Sequence, residues 1–221
     1  MAQEALLPPQ GTVFSFIRNS TVFGRQNDKS SDRQNIEVKH KTELGLSIMI
    51  QSNPPVEYQT DRQQNILWLY GNESYLGYEP YRPYYFAPLE PNSKRIEFYR
   101  MTHERTDPKT WYNCASLIRT DVRTTYPLEG HTFNGIKLNR MDVCNQASDQ
   151  MQIEIESEVF CLDLNFGCSW TYTQYTGKVP QPDFVEAHLN SEQDFELLRS
   201  KLVFFDKTYE EEIRLLSVHF P

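Results

Sequence analysis

The run Ile153-Glu154-Ile155-Glu156-Ser157-Glu158 sets three carboxylates two residues apart. In an extended chain such side chains point the same way. Glu154, Glu156 and Glu158 then share one face, opposite Met151, Ile153 and Ile155. On the outside of a sheet the row is a solvated face. Turned into a barrel, the same carboxylates could accept hydrogen bonds from the N–H groups of a nitrogen heterocycle. A single strand leaves both orientations open.

A second constellation is GYEPYRPYYFAP, from Gly77 to Pro88. Pro80 and Pro83 hold Glu79 and Arg82 extended, so Tyr81 and Arg82 are displayed on opposite sides. One reading is an edge strand whose tyrosines cover the outside of a sheet. The other gives Arg82 a ligand carboxylate to grip with its planar fork. Tyr81, Tyr84 and Trp68 would then lie against a flat conjugated molecule.

Familiar catalytic templates are missing. There is no G-x-S-x-G, no P-loop and no dinucleotide fingerprint. The five histidines (His40, His103, His131, His188 and His219) are scattered, which disfavours a transition-metal site. The four cysteines form no C-x-x-C pair. They read as buried thiols of an intracellular chain, with one disulfide left open.

A net charge of -8 opposes nucleic-acid binding, which needs a basic face. No apolar run approaches the length of a membrane span. The N-terminal MAQEALLPPQGT lacks the basic and apolar regions of a secretory signal. A soluble cytoplasmic protein is the expectation, or a plastid-stromal one if the host is an alga.

These residues must be positioned by strands. Leu44, Leu46, Ile48 and Ile50 alternate with smaller or more polar neighbours, and the same period recurs through the middle of the chain. Strands are expected at 65–71, 81–88, 94–102 and 113–122, with the clearest pattern in DQMQIEIESEVFCLDLNF, at 149–166. GRQNDKSSDRQN, at 24–35, reads as a loop. Near the C-terminus, Ser191 is an N-cap followed by acids and by Phe195, Leu198 and Leu202 at helical spacing. KTYEEEIRLLSVHF fits either a second helix or a closing strand. The expected organisation is an N-terminal strand and polar loop (1–40), an antiparallel barrel domain (41–178) and a helical tail packed on it (179–221).

The order of motifs resembles the T-type phycobiliprotein chromophore lyases, the CpcT/CpeT family. ILWLYGNESYLGYEPYR and RIEFYRM stand where that family has its strand, P-Y-R segment and following strand. NCASLIR with Cys114, FNG at Phe133 to Gly135, MDVC with Cys144, Ser157-Glu158 and CLDLNFG with Asp163 follow in the family's order, over about residues 41 to 168. The resemblance implies a lipocalin-like, calycin-type antiparallel barrel of about ten strands. It would hold an open-chain tetrapyrrole (a bilin of phycocyanobilin or phycoerythrobilin type) as substrate, with no cofactor consumed. The barrel would deliver the bilin to a cysteine of a phycobiliprotein subunit as a thioether. It also implies that Tyr81 and Arg82 bind the bilin, that Asp163 or Glu158 contacts its pyrrole nitrogens, and that Cys114 and Cys144 form a disulfide.

The nucleophile in such a reaction is the acceptor's thiolate, so the lyase's task is orientation. A different reading is a non-enzymatic barrel that binds a bilin or another apolar molecule, or only a protein partner. A third is a structural β-protein whose tyrosines form a subunit contact. A homodimer is compatible with all three.

Overall fold

The computed structural model describes residues 8–24, 26–41, 46–51, 56–61, 65–71, 74–83, 91–105, 109–146, 150–178 and 183–221, of which 40, 41, 46–51 and 58 are described by backbone alone. Among the described residues twelve strands form one closed antiparallel barrel. They are β1 (Val13–Val22), β2 (Asp28–Lys41), β3 (Leu46–Gln51), β4 (Val56–Thr60), β5 (Ile66–Gly71) and β6 (Ser74–Arg82). Next come β7 (Lys94–Thr102), β8 (Tyr112–Leu128), β9 (His131–Gln146), β10 (Gln150–Cys161) and β11 (Phe166–Lys178). Two helices, α1 (Phe184–His188) and α2 (Glu192–Ser200), and a 3-10 turn at Leu202–Phe204 precede β12 (Asp206–His219). Each strand pairs with the next, and β12 pairs with β1 to close the ring. This is the lipocalin-like, mainly β architecture expected, with twelve strands in place of about ten.

Alternation decides which side chains enter the barrel. At one end the inner positions are apolar: Phe14, Phe16, Ile36, Val38, Phe166 and Leu215 form a buried plug. Phe14 stacks on Phe166 with ring centroids 4.1 Å apart. On the outer face of β8–β10, Ala115, Leu117, Met141, Val143, Met151 and Ile153 are apolar too. They are covered by Val185, Leu189, Phe195 and Leu198 of the helical layer. Ser191 opens α2 with a capping box: its hydroxyl accepts from the Asp194 N–H while its own N–H donates to the Asp194 carboxylate.

Three expectations are corrected. The polar stretch 24–35 is a turn only at its start, because β2 begins at Asp28 and pairs with β1 throughout. Its first residues face water on both sides, which erased the apolar alternation. The strand expected at 81–88 begins earlier, at Ser74, and is described as far as Arg82, residues 84–88 lying outside the described residues; Gly71 of β5 pairs with Ser74. Finally, among the described residues of the tail, helix is confined to residues 184–204, and Asp206–His219 forms the closing strand. β1, β2 and β12 are therefore barrel staves and not appendages.

Phe195 has no exposed surface and joins the helical layer to the barrel. Phe195→Ala should cost about 3–5 kcal/mol, measured as a lowered denaturant midpoint with the slope unchanged.

Candidate functional site

Above the apolar plug the barrel encloses a cavity of about 440 Å³. That is within the size range of small-molecule sites. One part of its wall is apolar, with Ile36, Ile66, Leu69, Leu76, Met101 and Trp170. The other part is charged, with the Arg18–Glu211 pair of β1 and β12 and a larger cluster built from β6, β9 and β10. Here the inner positions are Arg82, Arg140, Asp142, Glu154 and Glu156.

Asp142 is the centre of the cluster, with its side chain 1% exposed. It accepts from Arg82 Nη2 at 2.7 Å, from Arg82 Nε at 3.1 Å and from the Ser116 hydroxyl. Arg140 Nε lies 3.2 Å from the same carboxylate. Arg82 Nη2 also donates to Glu154 at 2.5 Å. Arg140 donates to Glu156 and, at 3.0 Å, to the Pro83 carbonyl. Gln152 donates to Glu154 at 2.6 Å. Tyr78, Tyr99 and Tyr172 surround the cluster at the cavity wall.

The electrostatics follow from burial. Desolvation would push the Asp142 carboxyl up, yet Arg140, Arg82 and the Ser116 hydroxyl together hold it below its ordinary range. Glu156 goes the other way: burial, aided by the neighbouring Asp142 and Glu154 carboxylates, outweighs the guanidiniums and raises it. Burial and the adjacent carboxylates likewise push the Tyr99 and Tyr172 hydroxyls well above their usual range, so both are neutral donors at pH 7. Two guanidiniums thus face three carboxylates, Asp142, Glu154 and Glu156. The cluster is better suited to receive N–H donors or a cation than a ligand carboxylate.

Arg82 therefore enters the hollow and lines it, with Nε and Nη2 engaged by Asp142 and Glu154. Tyr81 points away from Arg82, as the alternation required. It does not line the cavity but sits outside, where burial and Glu97 raise its hydroxyl. Trp68 also lies off the cavity wall; Leu69 and Ile66 take that place, across an irregularity in the β5–β6 register. Tyr84 lies outside the described residues.

Glu158 is on the inward face with Glu154 and Glu156 and is 4% exposed, but it does not line the cavity. Asp163 is exposed in the β10–β11 turn, where it accepts the Asn134 N–H at 2.8 Å. It is a turn brace, not a ligand contact. Sequence reasoning missed Arg140, Asp142 and Ser116. The usable signal was Arg140, Asp142 and Cys144 alternating with Met141 and Val143, the same pattern as on β10.

All four cysteines are paired, which corrects the reading as buried thiols. Cys114–Cys144 joins directly opposed positions of β8 and β9, and Cys144 borders the cavity. Cys161–Cys168 closes the β10–β11 hairpin. The F-x-G motif has a structural reason: a Cβ at Gly135 would lie 3.0 Å from the Phe160 carbonyl, so glycine lets β9 approach β10 there. Among the described residues no group of His, Cys, Asp or Glu is arranged to hold a metal ion. No helix among them is long and apolar enough to cross a membrane.

No protein-family model matches this chain, and no curated protein matches it. Among solved structures, the hypothetical lipoprotein YmcC from Escherichia coli (K12) is similar, with a TM-score of 0.45 and 7% identity over 98% of this chain and 90% of that one. A likeness so loose carries no functional argument, and the fold rests on the strand pairing above.

Asp142→Ala would leave two buried guanidiniums facing each other, and a loss of about 3–5 kcal/mol of stability is expected by denaturant titration. The two acids should show opposite pH signatures. Asp142, depressed in the fold, stabilises fully above its unfolded pKa of about 3.9, and that stabilisation is lost as pH falls further. Glu156, raised in the fold, favours the folded state most when protonated, below about pH 4.3, and that gain fades as pH rises through its folded pKa. Wild-type protein should therefore gain stability relative to Glu156→Gln on going from pH 7 to about pH 4.3. Relative to Asp142→Asn it should lose stability below about pH 3.9. Peptide mapping without reductant should recover Cys114–Cys144 and Cys161–Cys168. Replacing the first pair by serines, which opens a loop with separation 30, should cost about 3–4 kcal/mol.

Proposed function

We propose that this barrel is a binding protein for a flat, mostly apolar small molecule bearing N–H groups. The observation that carries the reading is the cavity's division of labour, with an aliphatic and aromatic wall facing a polar one in which Glu154 and Glu156 line the hollow. Such a site desolvates a conjugated skeleton and offers Glu154 and Glu156 as acceptors for its nitrogens. An open-chain tetrapyrrole has this chemistry, and the resemblance in motif order nominates it. Contacts to the ligand are assigned to Glu154, Glu156, Tyr78, Tyr172 and Trp170, with Arg82 and Arg140 as positioning residues.

A second reading, favoured by the order of P-Y-R, F-x-G and cysteine motifs, is a lyase that passes the bilin to a phycobiliprotein subunit. With every cysteine of this chain paired, the thiolate that adds to the bilin's vinylic carbon would belong to the acceptor. The same pairing favours an oxidising compartment over the reducing cytoplasm, and so weighs toward the plain binding reading.

Titration with phycocyanobilin, followed by visible absorbance, tests the first reading. Saturable uptake with a shifted spectrum is expected. Glu154→Gln should weaken it by about tenfold or more, because a hydrogen bond to a charged acceptor is lost. Asp163→Ala, on the outside, should leave it unchanged. Absence of any spectral change with the folded protein overturns the bilin assignment. Co-expression with a phycobiliprotein subunit and bilin-making enzymes separates the readings: covalent colour on the subunit supports the lyase, and reversible binding alone supports the carrier.

A further inference from the structure

We infer that one end of the barrel, where the β1–β2 turn meets the 3-10 turn before β12, docks on an anionic lipid bilayer. Val203 is 79% exposed and Phe204 82% exposed, with Leu197 at 57% and Val22 at 50%. Isolated apolar residues on a surface need no explanation, but a projecting group does. These belong to one end of the molecule. Val22 pairs with Tyr209, and the Phe23 N–H donates to the Thr208 carbonyl at 2.9 Å, just after the 3-10 turn.

The tip is held rather than trailing. Phe205 packs so closely on the β11 backbone that a Cβ on Gly177 would fall 2.3 Å from its ring. With Phe205 anchored inward, Val203 and Phe204 are presented outward on a turn of three residues. Behind the tip lies an open groove of about 460 Å³, walled by Phe184, Leu197, Phe204 and Phe205 and bordered by Lys178, Lys201 and the capping Asp194. Neither lysine makes an ion pair among the described residues. Lys207 sits 4.7 Å over the Phe23 ring at the same end.

Charge selects the occupant. The chain is acidic overall, yet Lys178 and Lys201 border the tip that carries Phe204, the most exposed aromatic ring among the described residues, while Lys207 is paired with Glu210. Apolar side chains entering the headgroup region with lysines level with lipid phosphates are the recognised arrangement of an interfacial anchor. Asp206 follows the tip directly, so the attraction to anionic lipid is moderate and insertion of Val203 and Phe204 sets most of the affinity.

The test is co-sedimentation of the full chain with vesicles of phosphatidylserine mixed with phosphatidylcholine, against phosphatidylcholine alone. Binding to the mixed vesicles is expected, weaker binding to the neutral ones, and a decrease with salt. The double variant V203S/F204S should lose about tenfold or more in affinity, with its thermal midpoint unchanged because both side chains face water. K178E/K201E should erase the preference for anionic vesicles. Two outcomes overturn the inference: no vesicle binding by the folded wild type, or binding that V203S/F204S leaves unaltered. A concentration-dependent dimer that V203S/F204S abolishes, without vesicle binding, assigns the tip to a second copy instead.

Discussion

A carboxylate almost wholly removed from water sits between two guanidiniums, and the rest of the molecule is arranged around that fact. Arg82 stands on β6, Asp142 on β9 and Glu154 on β10. β6 and β9 are separated by two intervening strands, so the contact is not made along the sheet but across its hollow. It acts as a strut between walls that are not neighbours in the ring. Apolar side chains of similar volume could well give a more stable barrel, since buried ion pairs repay their desolvation poorly. They would also fill the space or let the walls come together. Keeping charge inside a barrel is a way of keeping it open, and the cost falls on stability.

The helical layer makes this possible. Strands β9 and β10 carry carboxylates and guanidiniums inward, and β8 the Ser116 hydroxyl, so their apolar residues must be shielded on the outside. α1 and α2 supply the shield, with Phe195 and Leu198 laid over Met141, Val143, Met151 and Ile153. The usual polarity of a sheet wall is inverted there, while at the plugged end Phe14, Phe16 and Ile36 follow the ordinary rule. One barrel thus has a dry half that fixes its shape and a charged half that can exchange partners.

The inversion explains what the sequence disclosed and what it hid. The alternation over Met151 to Glu158 identified a strand and sorted its residues into two sets. It could not say which set faced in, because the element that covers the outer set arrives some thirty residues later in the chain. Arg140 and Asp142 went unnoticed for the same reason: Met141 and Val143 look like the core-facing pair. Tyr81 and Arg82 were correctly placed on opposite sides, since the flanking prolines restrict the backbone locally. The partners of Arg82 were not legible, because sixty and seventy-two residues separate it from Asp142 and Glu154. β12 was ambiguous because Glu210, Glu211 and Glu212 suit a solvated helix as well as a strand with one wet face.

The ring closes through its first and last staves. Val13 faces His219 and Val22 faces Tyr209, so the edge of β1 finds its partner only once β12 has been made. Until then Phe14 and Phe16 lack the wall that β12 provides, and an unpaired strand edge is open to any other chain. Contacts of such sequence separation form slowly. The vulnerable period for this protein is its synthesis, and crowding by its own nascent copies is the hazard that circular closure creates.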